Sequence, residues 1–437
     1  MTAGGRAETR TGSLGPVRVL PIPCHRDSIT VRVRRGLAQS AGMRRRRRMT
    51  YSYHANAAEV LKNARADIMQ ILGPIATRSS IDAEFAGSLR VLAHAESEEV
   101  WVSRIPAGQE LSVFLPSNNL LYSYLLYAVM PAAWAQRIRV RPSSRVKATC
   151  LALHDLLGAH LSPSIVMADE SQRAFVSEAS TSNSVIFTGS PENGRNIAAL
   201  LPDTSLFMGF GSGPNPVVIG READIDRAVT ETVSARLYNS GQDCLCPDVV
   251  FAHADVVDRV EEVLIEQLKV IPQGDRLAKG LVNAPLVYND AADAARGWIR
   301  SRRDHLRWQS AEVDAPGFVP LTVVREDEVA NAIVSEHFAP VFHLVRYESP
   351  AEVLRWAESP QNRENGFYIS VYGEDALRDP VIGNAVNVGA VSALNQEDGN
   401  RPFGGYGRRA SWVRWRGKER GTPLLTSRES ALHLGNG

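Results

Sequence analysis

The sequence is poor in cysteine and has no long uninterrupted apolar run. Four cysteines in 437 residues, Cys24, Cys150, Cys244 and Cys246, are too few for a disulfide framework. They favour a reducing compartment, so we expect a cytoplasmic protein. The most apolar stretch, residues 120–135, is too short to span a bilayer. It therefore predicts a buried helix and no membrane span.

Metal-ligand pairs and a secretory signal are missing as well. Cys244 and Cys246 could form half of a metal site, but no other Cys or His pair with ligand spacing accompanies them. We therefore expect no metal. The N-terminal region also lacks the apolar segment that a secretory signal requires.

Negative charge is nearly absent from the first 48 residues. They contain 12 Arg, no Lys, one Asp and one Glu, although the whole chain has a formal charge of only +1. The arginine run at 44–48 could bind nucleic acid or an anionic surface. The lack of periodicity instead favours a disordered basic extension over residues 1–48, which would be either a tail of the protein or a segment upstream of a protein that begins at Met49. We expect no nucleic-acid binding by the core.

The rest of the chain has the pattern of a folded α/β protein. Apolar residues recur at helical spacing from about residue 49 to 80, and two short alternating segments, 100–104 and 111–115, predict strands. Strand-like and helix-like segments then alternate as far as Cys244, and a second run of the same kind follows it. This alternation is typical of open, largely parallel α/β sheets.

Cys244 ends the most informative local pattern, the run Asn239-Ser240-Gly241-Gln242-Asp243-Cys244. The small residues Ser240 and Gly241 allow a sharp backbone turn that presents the sulfur at the floor of a cleft. Such a turn leaves the cysteine N–H free to receive a developing oxyanion. The alternative is a buried structural cysteine, which is the commoner use of this residue.

Two other segments each follow a predicted strand and precede a helix. The first, Leu115-Pro116-Ser117-Asn118-Asn119, places an asparagine amide at the carboxyl edge of the sheet, where open α/β sheets bind ligands. The second is Phe187-Thr188-Gly189-Ser190, with Gly194 four residues later. Its small residues favour pyrophosphate binding at a helix N-terminus. The alternative is an ordinary strand–helix connection.

These segments, together with Glu336-His337-Phe338-Ala339-Pro340 and Pro402-Phe403-Gly404-Gly405, resemble the aldehyde dehydrogenase superfamily in order and spacing. The resemblance covers about residues 110 to 407. It implies an α/β fold with a Rossmann-type cofactor domain, an α/β catalytic domain and small oligomerisation strands. We assign residues 49–207 to the cofactor domain, 208–390 to the catalytic domain, and 391–437 to a return segment with an oligomerisation strand. The resemblance also implies a homodimer or homotetramer.

The resemblance assigns a role to each matching position. Cys244 would be the nucleophile that adds to a carbonyl carbon, and Asn118 would donate its amide to the oxyanion. The residues that would approach the dinucleotide phosphates are Thr188, Gly189, Ser190 and Gly194. Glu336 would orient the nicotinamide ribose, and Phe338 would pack beside it. A surface acid and a core aromatic are the alternatives for these last two residues.

The segment before the cysteine departs from the family. Hydrolytic members carry Glu-Leu-Gly-Gly-Lys-Asn-Pro, in which the glutamate activates water, whereas alignment on Asn215-Pro216 puts Phe210 at that position. No carboxylate occurs from residue 204 to 221. This glycine-rich version resembles the acylating and fatty-acyl-thioester reductase branches. Asp243 or Asp248 could still substitute as a base.

The expected substrate is therefore an aldehyde or an acyl thioester of CoA or of an acyl carrier protein. We predict an NAD(P)-dependent oxidoreductase that reduces the acyl thioester to an aldehyde, or catalyses the reverse reaction. Hydrolytic aldehyde oxidation to a carboxylic acid is one alternative. A catalytically silent, dehydrogenase-like scaffold is another, although such a scaffold has no chemical need of Cys244, Asn118 and Glu336.

The cofactor segment departs from the family too. The family's Lys-Pro-Ser-Glu piece is replaced by Arg141-Pro142-Ser143-Ser144-Arg145, so the carboxylate that would repel a 2′-phosphate is missing. Two arginines would attract that phosphate. With Arg141 and Ser143 as cofactor-binding residues, the sequence favours NADP, and NAD remains possible.

Overall fold

The computed structural model describes residues 52–332 and 334–435. The predicted basic extension, residues 1–48, lies outside these described residues. Within them, strands form two sheets of seven and eight members. Their bounds are β1 (Glu110–Phe114), β2 (Arg137–Arg141), β3 (Ile165–Met167), β4 (Ser184–Thr188), β5 (Leu206–Phe210), β6 (Val217–Ile219), β7 (Val250–His253), β8 (Leu306–Gln309), β9 (Thr322–Glu326), β10 (Val341–Tyr347), β11 (Tyr368–Tyr372), β12 (Val381–Ile382), β13 (Ala385–Gly389), β14 (Ser411–Trp415) and β15 (Lys418–Gly421).

Helices flank both sheets, and several begin at a side chain that caps the first turn. Thr77 and Asp224 accept a hydrogen bond from the first turn of the helix that follows each of them. The bounds are α1 (52–63), α2 (Arg65–Leu72), α3 (Arg78–Ala93), α4 (Glu99–Val102), α5 (Leu120–Tyr124), α6 (Lys147–Leu161), α7 (Gln172–Ala179), α8 (Pro191–Ala198), α9 (Ile225–Arg236), α10 (Val257–Lys269), α11 (Asn289–Ser301), α12 (Pro350–Ala357), α13 (Pro360–Glu364), α14 (Ala393–Gln396) and α15 (Thr426–Leu434).

The first sheet has the order β15-β14-β5-β4-β1-β2-β3. Strands β1 to β5 are mutually parallel, as the alternating pattern predicted. The chain runs outward from β1 through β2 to β3 and then returns to the other side of β1 to form β4 and β5. The direction of winding therefore reverses between β1 and β4, and ligands bind at such switch points in open α/β sheets.

The second sheet has the order β12-β13-β11-β6-β7-β10-β9-β8. Its central strands are parallel, and the edge strands β8 and β12 are antiparallel to their neighbours. The amphipathic helices α9 and α10 pack against it around Val229, Val260 and Leu264. The fold class predicted from the sequence is thereby confirmed.

Two local predictions were wrong. Residues 100–104 do not form a strand, because α4 continues directly from a 3-10 turn and packs against α15. Residues 120–135 are largely buried but not one helix, since α5 passes into a π-helical segment (Leu125–Val129) and then a 3-10 turn that begins at Pro131. Proline has no N–H for the helical ladder, which ends the regular helix. No helix in the described part of the chain is long and apolar enough to cross a membrane.

Candidate active site

The cysteine turn joins α9 to β7 through strained backbone. Asn239, Ser240 and Gly241 have φ values of 46°, 57° and 88°, so consecutive residues lie in the left-handed region. A Cβ atom on Gly241 would lie 2.5 Å from the carbonyl carbon of Ala339. Only glycine fits this close approach, and the sharp turn expected from the sequence is present.

Hydrogen bonds from other elements hold the strained turn in place. The Asn239 side-chain oxygen accepts a hydrogen bond from Thr77 N at 3.1 Å, and Ser240 Oγ accepts one from Ala284 N at 2.9 Å. Gln242 Oε1 accepts a further one from Val287 N at 2.9 Å. These contacts come from well-separated parts of the chain, so the turn depends on tertiary structure rather than on its own sequence.

The Cys244 side chain is half-buried and lines a cavity of about 630 Å³. Burial raises the pKa of its thiol well above the ordinary value, and the neighbouring carboxyl groups of Asp243 and Glu336 raise it further. Both effects favour the neutral thiol over the thiolate. Cys246 is buried and donates to Ala235 O at 3.1 Å, which is a structural role.

Asn118 lies beside Cys244 on the wall of the same cavity. It follows β1, and its amide donates to Gln242 O at 3.4 Å. The next residue, Asn119, adopts the left-handed conformation, and its amide donates to the Asp243 carboxyl. The structure thus brings together the two predicted catalytic residues, which are far apart in sequence.

Asp243 and Asp248, the two carboxyls considered as substitute bases, are both already held by hydrogen bonds or an ion pair. Asp243 Oδ1 accepts from Leu245 N at 2.7 Å and its Oδ2 accepts from Asn119. Asp248 is buried in an ion pair with Arg236, at 2.8 Å. An acid held in this way is poorly placed to accept a proton from a reactant.

Phe210 occupies the end of β5, where the family has its glutamate in the alignment. Its side chain is 3% exposed and packs between Tyr127 and Phe403, with ring centroids 4.9 and 6.2 Å away. A Cβ atom on Gly211 would lie 2.3 Å from the backbone oxygen of Arg409, which excludes a larger residue there. This part of the cavity wall is apolar.

The predicted phosphate-binding segment lies at the carboxyl end of β4, next to the switch point. Thr188 lines the cavity, Gly189 has φ 150°, and Ser190 caps α8 by accepting from Asn193 N at 3.4 Å. Gly194 lies in α8, and its contact with the cofactor phosphates stays a prediction. A Cβ atom there would lie 3.0 Å from the Phe187 ring, so its small size serves the packing of α8 on β4.

Arg141 ends β2 and Ser143 follows it; β1 separates this strand from β4. The Nε atom of Arg141 is buried and has no hydrogen-bond partner among the described residues, and burial lowers its pKa. An unpartnered donor of this kind fits a phosphate or ribose oxygen. Arg145, the second arginine expected to bind phosphate, is instead paired with Asp290 and stacked on Tyr288 at 4.7 Å.

Glu336 and Phe338 belong to the segment that leads into β10. Glu336 Oε2 accepts from Ser212 Oγ at 2.9 Å, and burial, with the nearby charge of Asp248, raises the pKa of Glu336 to about 8. Phe338 is half-buried with φ 42°. Arg236 fixes the segment by donating to Ala339 O at 2.6 and 2.9 Å.

Two cavity carboxyls were missed in the sequence, Glu84 on α3 and Glu397 after α14. Glu84 Oε2 accepts from Leu121 N at 2.9 Å and Tyr122 N at 3.2 Å, so it caps α5. Glu397 Oε2 accepts from the Tyr122 hydroxyl at 2.6 Å. Nothing local marks Glu84, whereas Glu397 lies five residues before Pro402 of a recognised motif.

Comparison with known proteins gives matches over most of the chain. The model of the aldehyde dehydrogenase family matches residues 36–422. A 3,6-anhydro-alpha-L-galactose dehydrogenase of Streptomyces coelicolor is 32% identical over 225 residues, 47% of this chain and 44% of that protein. An NADP(+) succinate-semialdehyde dehydrogenase of Escherichia coli is 28% identical over 284 residues, 61% of this chain and 57% of that protein. The chain spans about half the length of the curated relatives it matches.

A solved structure agrees over a longer range. An aldehyde dehydrogenase of Mycobacterium tuberculosis complexed with NAD+ has a TM-score of 0.71 against this chain at 17% identity, covering 88% of this chain and 83% of that one. At this identity the likeness concerns the fold.

Proposed function

The chain belongs to the aldehyde dehydrogenase family, and from that premise we propose that it oxidises an aldehyde through an acyl thioester on Cys244. The observation that carries the proposal is the shared cavity: Cys244 and Asn118 both line it, and the Asn118 amide donates to Gln242 O, two residues before the cysteine. Its volume of about 630 Å³ suits a small molecule. Its wall combines polar residues, among them Glu84, Arg90 and Asn395, with apolar ones such as Leu126, Leu281 and Phe403, which suits an aldehyde with both a polar and an apolar part.

The residues divide the chemistry between them. Cys244 adds to the aldehyde carbon, and the Asn118 amide and the Cys244 N–H stabilise the negative charge that develops on the carbonyl oxygen. A bound nicotinamide cofactor supplies the hydride acceptor. Arg141, Ser143, Thr188, Gly189 and Ser190 would hold its phosphates and adenosine ribose. Glu336 and Phe338 would hold the nicotinamide ribose.

The cofactor is proposed to be NADP, with NAD as the alternative. The unpartnered Arg141 Nε and the absence of an acidic residue from positions 141–145 favour a 2′-phosphate. The relative from Escherichia coli is named for NADP(+), and the structural neighbour from Mycobacterium tuberculosis was solved with NAD+.

The direction of the reaction is taken from the relatives, which are named as dehydrogenases of aldehydes. Reduction of an acyl thioester, with CoA or an acyl carrier protein as the thiol, is the second candidate. It is favoured by Phe210, because an apolar residue stands where hydrolytic enzymes of the family activate water. The two candidates share the Cys244 thioester and differ in what removes the acyl group.

A thiol-dependence assay separates the candidates. NADPH formation would be followed with a panel of polar aldehydes, first in buffer and then with added CoA. A steady rate without thiol and release of free acid support oxidation, whereas turnover only with CoA supports acyl exchange. Cys244→Ala should abolish both. Cys246→Ser, two residues away, keeps a donor for Ala235 O and should retain activity.

A further inference from the structure

Phe210 stands where the family has the glutamate that activates water, so this position supplies no base for hydrolysis of the thioester. A thioester on Cys244 reacts slowly with water unless a base removes the water proton. The candidate carboxyls around the cavity are Asp243, Asp248, Glu84, Glu336 and Glu397. Four of them are committed to hydrogen bonds or ion pairs: Asp243 with Asn119 and Leu245, Asp248 with Arg236, Glu84 with the start of α5, and Glu336 with Ser212.

Only Glu84 and Glu397 of these five line the cavity itself, and the two differ in exposure and in partners. Glu84 is 4% exposed and its carboxylate caps α5 by accepting two backbone N–H groups. Glu397 Oε2 accepts only from the Tyr122 hydroxyl, at 2.6 Å, and no described residue donates a hydrogen bond to its Oε1. The side chain is half-buried and lines the cavity that contains the Cys244 thiol and the Asn118 amide. It therefore has an oxygen available to a reactant in that cavity.

The loop that carries Glu397 is fixed rather than free. Asp398 accepts from Asn400 N at 3.1 Å, and the Asn400 amide donates to Glu98 at 3.1 Å. A Cβ atom on Gly399 would lie 2.7 Å from the Tyr122 hydroxyl, so the backbone here packs directly on α5. A base must be held in position to act efficiently, and these contacts hold it.

We propose that Glu397 is the general base for deacylation, supplying from the loop after α14 the function that β5 lacks. The proposal rests on the proposed aldehyde oxidation. Glu397 takes a proton from a water molecule as the water oxygen bonds to the thioester carbon. The C–S bond then breaks, the carboxylic acid leaves, and Cys244 is regenerated as the thiolate.

The electrostatic surroundings suit this role. Burial raises the pKa of Glu397 to about 7, and the Tyr122 hydrogen bond opposes that rise. A base whose pKa lies near the working pH is half ionised and still basic enough to take a proton. The charged and titratable groups that face it are Tyr122, Tyr127, Tyr238, Tyr368, Arg90, Asp243 and Asp398.

The test compares the first turnover with later ones. Glu397→Gln keeps the size and the Tyr122 contact but cannot accept the proton. We expect a first burst of about one NADPH per active site, followed by a steady rate about 100-fold or more below that of the unaltered protein. Mass spectrometry should show an acyl adduct on Cys244. The matched control is Glu96→Gln, which makes the same change at an exposed carboxylate outside the cavity and should keep the steady rate.

The pH dependence of the steady rate distinguishes a proton-accepting role of Glu397 from a structural one, because a structural role would not shift it. Tyr122→Phe removes the hydrogen bond that lowers the pKa of Glu397, so the acidic limb of the steady rate should shift to higher pH. A Glu397→Gln protein with an unchanged steady rate would overturn the proposal, as would equal loss of burst and steady rate. If the unaltered protein oxidises no aldehyde, the proposed function itself fails.

Discussion

Individual residues build the reactive centre by bringing two turns together. One turn follows β1 and carries Asn118, and the other follows α9 and carries Cys244. The raised pKa of the Cys244 thiol disfavours the thiolate, which is the form that attacks a carbonyl carbon. The proposed stabilisation of the oxyanion by Asn118 is the contribution that is simplest to isolate by experiment.

Replacing Asn118 with alanine should slow the first turnover without unfolding the protein. Loss of one oxyanion donor typically lowers the rate about 100- to 1,000-fold. Rapid-mixing measurement of the NADPH burst gives the rate, and circular dichroism checks the fold. Ser117→Ala, in the same turn but off the cavity wall, is the control. A burst rate within threefold or so of the unaltered protein would refute the role of Asn118.

The sequence alone predicts the role of a residue when the residues next to it in the chain form a recognisable motif. Cys244 and Asn118 stand in short turns with a recognisable order, so both were found before the fold was known. Glu84 and Glu397 reach the cavity only because α3 and the loop after α14 pack against α5. Such long-range contacts leave no mark in a single sequence. For the same reason the sequence did not predict the pairing of Arg145 with Asp290, which lies 145 positions later.

At the level of elements, the last residue of α9 is Arg236, a buried cation that links this helix to the segment before β7 and to the segment before β10. Arg236 is 0% exposed, pairs with Asp248 at 2.8 Å, and donates to Pro247 O and Ala339 O. It thereby holds the strand that follows Cys244 against the segment that carries Glu336. The alternation of strand-like and helix-like segments predicted the parallel sheets, because that order is visible along the chain. This crosslink was not predictable, because Arg236 and Ala339 are 103 positions apart.

Replacing Arg236 with methionine should destabilise the protein by about 3–5 kcal/mol, because Asp248 would remain buried without a partner. Urea unfolding measures the change. The double variant Arg236→Met, Asp248→Leu should recover part of the loss. Arg227→Met removes an exposed ion pair with Glu231 on the same helix and should cost less than about 1 kcal/mol. Equal effects of the two single substitutions would contradict the crosslink.

On the scale of the whole molecule, one cavity is lined by residues at or after the ends of β1, β4 and β5 of the first sheet and by Cys244, which precedes β7 of the second. A ligand bound there should stabilise the folded chain. The proposed cofactor residues Arg141 and Thr188 end β2 and β4, which lie on either side of β1 in the first sheet. Glu336 and Phe338 precede β10 of the second. The predicted homodimer or homotetramer and the cytoplasmic location stay predictions.

Cofactor binding should therefore raise the melting temperature, and NADP should raise it more than NAD. A ligand at 100 times its Kd adds about 2.7 kcal/mol to stability. Thermal melts with each cofactor at equal concentration measure the difference, and Arg141→Gln should reduce the advantage of NADP. Arg145→Gln is the control, since that side chain is already paired with Asp290. Equal shifts with both cofactors in the unaltered protein would count against NADP preference.

The position of β14 in the first sheet has a consequence for biosynthesis. This strand pairs with β5, whose residues are translated about 200 positions earlier. During synthesis one edge of β5 therefore stays unpaired until residues 411–415 have left the ribosome. An unpaired strand edge can associate with other nascent chains. Glu397 and Phe403 reach the cavity in the same late stage. The cavity is thus completed only near the end of translation. A prematurely terminated chain would contain Cys244 without the part of the cavity wall that Glu397 and Phe403 provide.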